Sequence, residues 1–222
     1  MKCFSVIAFV LTAFSPLASA LPAAESDPSY ADHFDGKLAA GWSWLREDGG
    51  AWRIKDNALE IRVQPGVVHN VKSALVRKAA DRGRQQHAVE VTVTNLTPPT
   101  QQYEQAGITW YHDGKPLAKL VKEYIDGKTW IVMGGPTDPD GKRGLAAKVP
   151  VDTPTVRLRL IVSADRYRGQ FQPGGEGEFQ PAGAGPLPPP SGDEVSIQCY
   201  NGPADAEHWF RFDDFQVVKW SD

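Results

Sequence analysis

Gln105, Lys119 and Glu123 have the residue types and the spacing to bind hydroxyl groups together. Alternate positions of a strand share one face, so Lys119 and Glu123 point the same way if their segment is extended. The turn signal His112-Asp113-Gly114 indicates a hairpin that places Gln105 beside them. An amide, an ammonium and a carboxylate on one sheet face could bind a sugar. The alternative is an ordinary solvent-facing Lys119–Glu123 ion pair.

Four further residues are candidates for ligand binding. Trp44 lies two residues before the polar turn Arg46-Glu47-Asp48, so we expect Trp44 at the rim of a pocket and assign Arg46 to the same site. His208 and Trp209 stand in a polar segment after the turn-like Asn201-Gly202-Pro203. A lone histidine is more often structural than catalytic, and most of the seven tryptophans should lie in a core.

Nearly the whole chain alternates polar and apolar residues with a period of two, which predicts an all-β protein. The predicted strands are separated by turn signals spaced as in hairpins, such as Asp126-Gly127. Eight or more short antiparallel strands indicate a two-sheet antiparallel sandwich or jelly roll. The clearest predicted strands are Leu59–Val63, His87–Thr94, Ala106–Tyr111, Ala118–Ile125, Thr129–Met133, Val156–Val162, Val195–Tyr200 and Phe210–Val218.

The segment from Pro173 to Asp193 is rich in glycine and proline and poor in branched aliphatic residues. It therefore cannot be a central strand, and the sequence predicts a long surface loop there. A loop of this length is either functional or merely decorative.

Several spaced elements appear in an order that resembles a known family. They are Phe34-Asp35-Gly36, Trp42-Ser43-Trp44 with Arg46-Glu47, Trp52-Arg53-Ile54 with Leu59-Glu60-Ile61, Gln105-Ala106-Gly107-Ile108, Lys119-Leu120 with Glu123, and Phe212-Asp213-Asp214-Phe215. Together they resemble the concanavalin A-like domains grouped with DUF1349 and with the C-terminal module of family 43 β-xylosidases. The resemblance implies a concanavalin A-like jelly roll and a carbohydrate partner.

The pair Asp213-Asp214 is unusual inside a strand, because aspartate is depleted there and one of the two must turn toward the buried side. Similar jelly-roll domains hold a structural calcium ion against such an aspartate, and the resemblance implies Asp213 and Asp35 as ligands, with Asp32 as an alternative to Asp35. Calcium needs 6 to 8 oxygen ligands. Hydrogen bonds from backbone amides or Arg211 would satisfy the carboxylates equally well.

A glycosidase of the usual kind needs two carboxyl groups that face one glycosidic bond. The Glu-x-Asp-x-x-Glu strand of jelly-roll glucanases does not occur in this sequence. A glycoside hydrolase built from Glu123 with Glu207, Glu176 or Glu178 remains open. The motifs of serine hydrolases, phosphate loops and zinc sites are missing from the sequence.

The first twenty residues have the pattern of a cleavable signal peptide. Lys2 precedes an apolar run from Phe4 to Phe14, and Ala18-Ser19-Ala20 ends the segment. The run is well short of the roughly 20 residues that span a bilayer, so a membrane anchor is the weaker reading. Cleavage would remove Cys3 and leave Cys199, an expected buried thiol. We expect a secreted or periplasmic protein with no membrane association after cleavage.

The sequence thus divides into a signal peptide (1–20), an N-terminal extension (21–29) and a β-sandwich domain (30–222). The chain has 24 Lys and Arg against 27 Asp and Glu, and the arginines are dispersed, which argues against a nucleic-acid partner. The favoured function is non-catalytic carbohydrate binding. The alternatives are a glycoside hydrolase of the same fold and a structural or adhesive exported protein without a ligand.

Overall fold

A computed structural model describes residues 28–221, and these residues form fifteen β-strands and no helix. The predicted signal peptide and Cys3 lie outside the described residues, as does most of the 21–29 extension. The strands are β1 Tyr30–Asp32, β2 Ser43–Leu45, β3 Trp52–Lys55, β4 Ala58–Arg62, β5 Ala74–Lys78, β6 His87–Asn95, β7 Gln105–His112, β8 Lys115–Ile125, β9 Lys128–Pro136, β10 Arg143–Pro150, β11 Thr155–Val162, β12 Arg166–Pro173, β13 Gln180–Pro186, β14 Glu194–Tyr200 and β15 Trp209–Lys219.

The strands form two antiparallel sheets. The front sheet has seven strands in the order β10-β9-β8-β7-β14-β5-β2. The back sheet has eight, in the order β13-β12-β11-β6-β15-β4-β3, with β1 paired to β15. Buried side chains from both sheets, including Ile108 and Leu120 of the front and Val91 and Leu158 of the back, share one core. The predicted two-sheet sandwich is confirmed.

Alternation along each strand explains why these segments pair as they do. In β11, Val156, Leu158, Leu160 and Val162 are buried in the core, whereas the residues between them face away from it. The tight turns have the backbone that two-residue hairpins need: Asp113 and Gly114 both have positive φ, at 48° and 70°. The β7–β8 hairpin predicted from the sequence is confirmed.

The predicted loop from Pro173 to Asp193 is wrong in one respect, because β13 lies within it and forms the edge of the back sheet. An edge strand tolerates the prolines that a central strand excludes. Small residues let β13 approach the other sheet: a Cβ on Gly183 would lie 2.8 Å from the Cβ of Ala147 in β10. Ala182 of the same strand is fully buried, so β13 closes one side of the sandwich.

Cys199 is buried and free, as predicted. Its Sγ donates to the backbone oxygen of Ile61 at 3.7 Å, and burial raises the pKa of the thiol far above its usual range. Such a thiol is not a nucleophile at neutral pH. Among residues 28–221 the structure has no helix of the length and apolar character needed to cross a membrane.

Candidate functional site

Gln105, Lys119 and Glu123 converge on the outer face of the front sheet, and we call them the polar triad. Gln105 and Glu123 are directly opposite each other in the β7–β8 pairing. The Gln105 Nε2 donates to Glu123 Oε1 at 3.1 Å. The Lys119 Nζ donates to Glu123 Oε2 at 3.1 Å and to Gln105 Oε1 at 2.6 Å. The strand pairing predicted from the sequence therefore brings the three groups into one network.

The Lys119–Glu123 pair is not an ordinary surface ion pair. The Glu123 side chain is 7% exposed and that of Lys119 is 25% exposed. Val121 lies between them on the same face and is fully buried. A carboxylate with so little solvent contact depends on its partners, since an unpaired buried charge is strongly unfavourable. The triad is thus a fixed arrangement of donors and acceptors.

The polar triad forms part of the lining of a cleft of about 320 Å³. One wall comes from Val67 and Val68 in the segment 63–73, which lies between β4 and β5. Arg143 and Gly144, at the start of β10, form the other wall. The remaining lining residues are Tyr103, Thr109, Pro116, Ala118, Gly134, Gly135, Tyr200 and Asn201.

The mouth of the cleft is apolar. Val67 is 48% exposed and Tyr103 is 49% exposed, and both line the cleft. Leu145, which is 59% exposed, pairs with the lining residue Gly134 and so lies on the same sheet face. Within the described part of the chain, only one other large apolar side chain, Leu96, is exposed to a similar degree. Exposed apolar groups are therefore concentrated around a polar floor.

Tyr103 is held in an unusual backbone conformation. Its φ is +66°, which is uncommon for a bulky residue. Two hydrogen bonds maintain it: its backbone N donates to Tyr124 O at 2.7 Å, and its carbonyl accepts from Gln105 Nε2 at 2.9 Å. Such conformations store roughly 1–3 kcal/mol and concentrate at functional sites. Sequence reasoning missed Tyr103, because no glycine or asparagine marks this position.

Trp44 is not among the residues that line the cleft, and its role in ligand binding stays a prediction. It pairs with the core residue Leu75, and its ring lies 4.8 Å from that of Trp52 in the back sheet. Trp44 therefore helps to close the interior between the two sheets. Arg46 lies close to the cleft without lining it: its Nε donates to Val71 O at 2.6 Å and so fixes the segment 63–73.

His208 and Trp209 lie outside the cleft. The His208 Nδ1 is 2.9 Å from both carboxylate oxygens of Glu104, and both side chains are almost fully buried. Glu104 points to the opposite face from Gln105, so this contact belongs to the interior. Trp209 lies on the outer face of the back sheet with Arg53 stacked 4.2 Å above its ring. The seven predicted binding residues thus do not form one site.

Two of the three aspartates considered as calcium ligands, Asp32 and Asp213, accept hydrogen bonds within the chain. Asp32 accepts hydrogen bonds from Phe34 N, Ala39 N and Trp42 Nε1 at 2.8 to 2.9 Å. Asp213 Oδ1 accepts from Asp214 N at 2.9 Å. Within residues 28–221 no three His, Cys, Asp or Glu side chains are grouped as a metal site requires. These donors account for Asp32 without a metal, and calcium at Asp35 and Asp213 stays a prediction.

A second carboxylate beside Glu123 would be needed for glycoside hydrolysis. Glu123 is the one acid among the described residues that line the cleft. Glu207 instead accepts from Arg62 Nη1 at 2.8 Å on the back sheet, and Glu176 and Glu178 are exposed in the connection between β12 and β13. The arrangement can therefore bind hydroxyl groups, whereas it lacks the paired acids of the usual glycosidase chemistry.

Comparison with known proteins gives both a family and a fold. Residues 31–187 match the family model of the β-xylosidase C-terminal concanavalin A-like domain. The GH43 protein BlXynB of Bacillus licheniformis superposes with a TM-score of 0.73 at 18% identity, over 90% of this chain and 41% of that one. A xylan β-1,4-xylosidase of Bacillus halodurans C-125 gives 0.70 at 19% identity, over 92% and 41%.

A smaller protein also shares the fold. The CBM2 module of the evolved Dit protein of Lactobacillus casei BL23 phage J-1 superposes with a TM-score of 0.60 at 8% identity, over 89% of this chain and 98% of that one. No curated protein matches. The chain spans about two fifths of the length of the two GH43 proteins.

Proposed function

Because the chain belongs to the family of β-xylosidase C-terminal concanavalin A-like domains, we propose that it is an exported, non-catalytic carbohydrate-binding protein whose ligand occupies the cleft. The observation that carries the proposal is the combination of the polar triad with the apolar mouth. A sugar ring has the same two-sided character, with apolar C–H faces and a periphery of hydroxyls. Binding sites for such ligands pair apolar surface with a few fixed polar groups.

The triad has hydrogen-bonding capacity left for a ligand. The Lys119 ammonium carries three N–H donors, of which two are used by Glu123 and Gln105. Each carboxylate oxygen of Glu123 accepts one bond within the triad and retains lone pairs. A ring hydroxyl can therefore donate to Glu123 while a neighbouring hydroxyl accepts from Lys119. Charge-assisted bonds of this kind are the stronger ones in protein sites.

Tyr103 supplies the apolar contact. Its ring is half exposed at the mouth, and its backbone is fixed through Gln105, a member of the triad. A rigid aromatic ring loses little conformational entropy when a sugar stacks on it. Val67 and Leu145 extend this surface to the two walls. Xylan is the first ligand to test, since one related structure is a xylan β-1,4-xylosidase.

Export is part of the proposal. The segment ending at Ala20 has the pattern of a signal peptide, and a secreted or periplasmic protein would meet polysaccharides directly. Among residues 28–221 Glu123 is the one acid that lines the cleft, which supports binding without hydrolysis. We propose neither a nucleic-acid nor a membrane partner for the mature chain.

A glycan array probed with the full chain tests the proposal. The array should include xylo- and arabino-oligosaccharides, be read at neutral pH with and without calcium, and be paired with chromatography of the supernatant. Binding without new products is expected. Release of shorter sugars would favour a glycoside hydrolase that uses Glu123, and neither binding nor products would favour a structural or adhesive protein.

A further inference from the structure

The floor of the cleft contains a buried hydroxyl without a partner. Thr109 lines the cleft and is 1% exposed, and its Oγ1 makes no hydrogen bond. Native proteins leave few buried polar atoms unsatisfied, because each one loses its bonds to water on folding. A hydroxyl can both donate and accept. The unsatisfied Thr109 hydroxyl, among the residues that line the cleft, is therefore available to bond a ligand.

The neighbours of Thr109 explain why it is left over. Lys119 is opposite Thr109 in the β7–β8 pairing, but its ammonium is engaged with Gln105 and Glu123. Ser196 is opposite on β14, but its hydroxyl donates to Gln198 Oε1 at 3.0 Å. The polar groups of both cross-strand neighbours bond to other residues, so neither satisfies the Thr109 hydroxyl.

A second unsatisfied group lies on the same face. Gln198 is fully buried, and its Oε1 also accepts from Tyr111 OH at 3.0 Å, whereas its Nε2 has no partner. Gln198 pairs with Gly107, which precedes Thr109 by two residues and presents no side chain to the cleft. A Cβ on Gly107 would lie 2.4 Å from Leu120 O. Gly107 therefore carries no side chain that could satisfy either group.

These observations bear on how much of a saccharide chain enters the cleft. A cavity of about 320 Å³ is at the small end for organic ligands. We infer that the cleft receives the terminal one or two units of a saccharide and that Thr109 hydrogen-bonds a hydroxyl of the deepest unit. The inference rests on the proposed carbohydrate function and adds its ligand class and a specificity residue.

Calorimetric titration of the full chain with xylose, xylobiose and xylohexaose tests it. Thr109→Val is expected to weaken xylobiose binding roughly three- to tenfold, the range for one lost hydrogen bond. Thr109→Ser restores the hydroxyl and should bind like the natural protein. Thr94→Val, which removes a back-sheet hydroxyl bonded to Thr155 Oγ1, is the matched control and should leave binding unchanged.

The melting temperature separates binding from structure. Replacing an unsatisfied buried hydroxyl by a methyl group should leave the melting temperature of Thr109→Val unchanged or raise it. Equal binding by Thr109→Val and the natural protein, with loss in Glu123→Gln, would overturn this inference and leave the proposed function standing. So would xylohexaose binding more than about tenfold tighter than xylobiose, since that requires contacts beyond the cleft. Failure of every saccharide to bind would overturn both.

Discussion

Lys119 and Glu123 form an ion pair along a single strand, four residues apart, with Nζ and Oε2 separated by 3.1 Å. Strand residues at this spacing lie roughly 13 Å apart along the backbone, so both side chains must lean toward each other. They do so over Val121, which is fully buried. Gln105, on the adjacent strand, completes the network and fixes both charges.

We expect Glu123 to contribute mainly to saccharide binding and Lys119 mainly to stability. Glu123→Gln keeps the shape of the triad, so we expect the melting temperature to stay within a few degrees and saccharide binding to fall about tenfold or more. Lys119→Met leaves the Glu123 carboxylate with one donor fewer in a buried position, and we expect a loss of stability on the order of 1–3 kcal/mol.

Chemical denaturation and calorimetric titration measure these two effects. The control is Asp81→Asn, which breaks an exposed pair with Arg84 and should change stability by less than about 1 kcal/mol. Unaltered saccharide binding by Glu123→Gln would remove Glu123 from the site.

A substitution at Tyr103 should separate the effect on saccharide binding from the effect on stability. Asparagine tolerates positive φ better than tyrosine does, so Tyr103→Asn relieves backbone strain while it removes the ring. We expect stability to be maintained or to rise by up to about 1 kcal/mol, and saccharide affinity to fall. Leu96→Asn removes another exposed apolar side chain, one that does not line the cleft, and should not affect affinity. A variant that binds normally would show that the ring makes no contact.

The buried amine of Lys122 should make the stability of the protein depend on pH. Its side chain is buried in the interior, Nζ donates to Thr153 O and Pro154 O at 2.7 and 2.6 Å, and burial lowers its pKa from 10.5 to about 7. Between these values the unfolded chain binds the proton and the folded chain does not. The free energy of unfolding contributed by this group therefore rises with pH across that interval.

Denaturation at pH 7 and pH 9 measures this contribution. From pH 7 to 9 the gain should be on the order of 2 kcal/mol in the natural protein and should be missing in Lys122→Met. The comparison of the two slopes cancels the other titrating groups. Parallel pH profiles would contradict the assignment.

Calcium binding by Asp35 and Asp213 is tested by chelation. A bound ion stabilises the folded state, so EGTA should lower the melting temperature and added calcium should restore it. Asp213→Asn should abolish this response, whereas Asp140→Asn, in the exposed β9–β10 turn, should retain it. A melting temperature that EGTA does not move argues against the ion.

The periodicity of the sequence was sufficient to predict the two-sheet sandwich and eight of its fifteen strands, namely β4, β6, β7, β8, β9, β11, β14 and β15. Alternation and turn glycines identified the core strands and the β7–β8 hairpin, and the hairpin in turn placed Gln105 beside Glu123. The edge strand β13 was not predicted, because its contacts depend on small residues such as Ala182 and Gly183, which carry no hydrophobic pattern.

The candidate site was only partly predictable, because it depends on contacts between distant segments. Alternation could not say which face of β2 would carry Trp44 into the core. The buried position of His208 depends on its contact with Glu104, which is 104 residues away in the chain. Tyr103 depends on a positive φ that its own residue type disfavours, and the cleft wall comes from the segment 63–73, whose path no local signal indicates.

The central claim is that the cleft of the front sheet binds saccharide, and an NMR titration of the isotopically labelled chain with xylobiose tests it most directly. The largest shift changes are expected in the amides of β7 and β8 and at the start of β10, near Tyr103, Lys119 and Arg143, and they should disappear in Glu123→Gln. Shift changes confined to the back sheet around Trp209, or no changes at all, would contradict the claim.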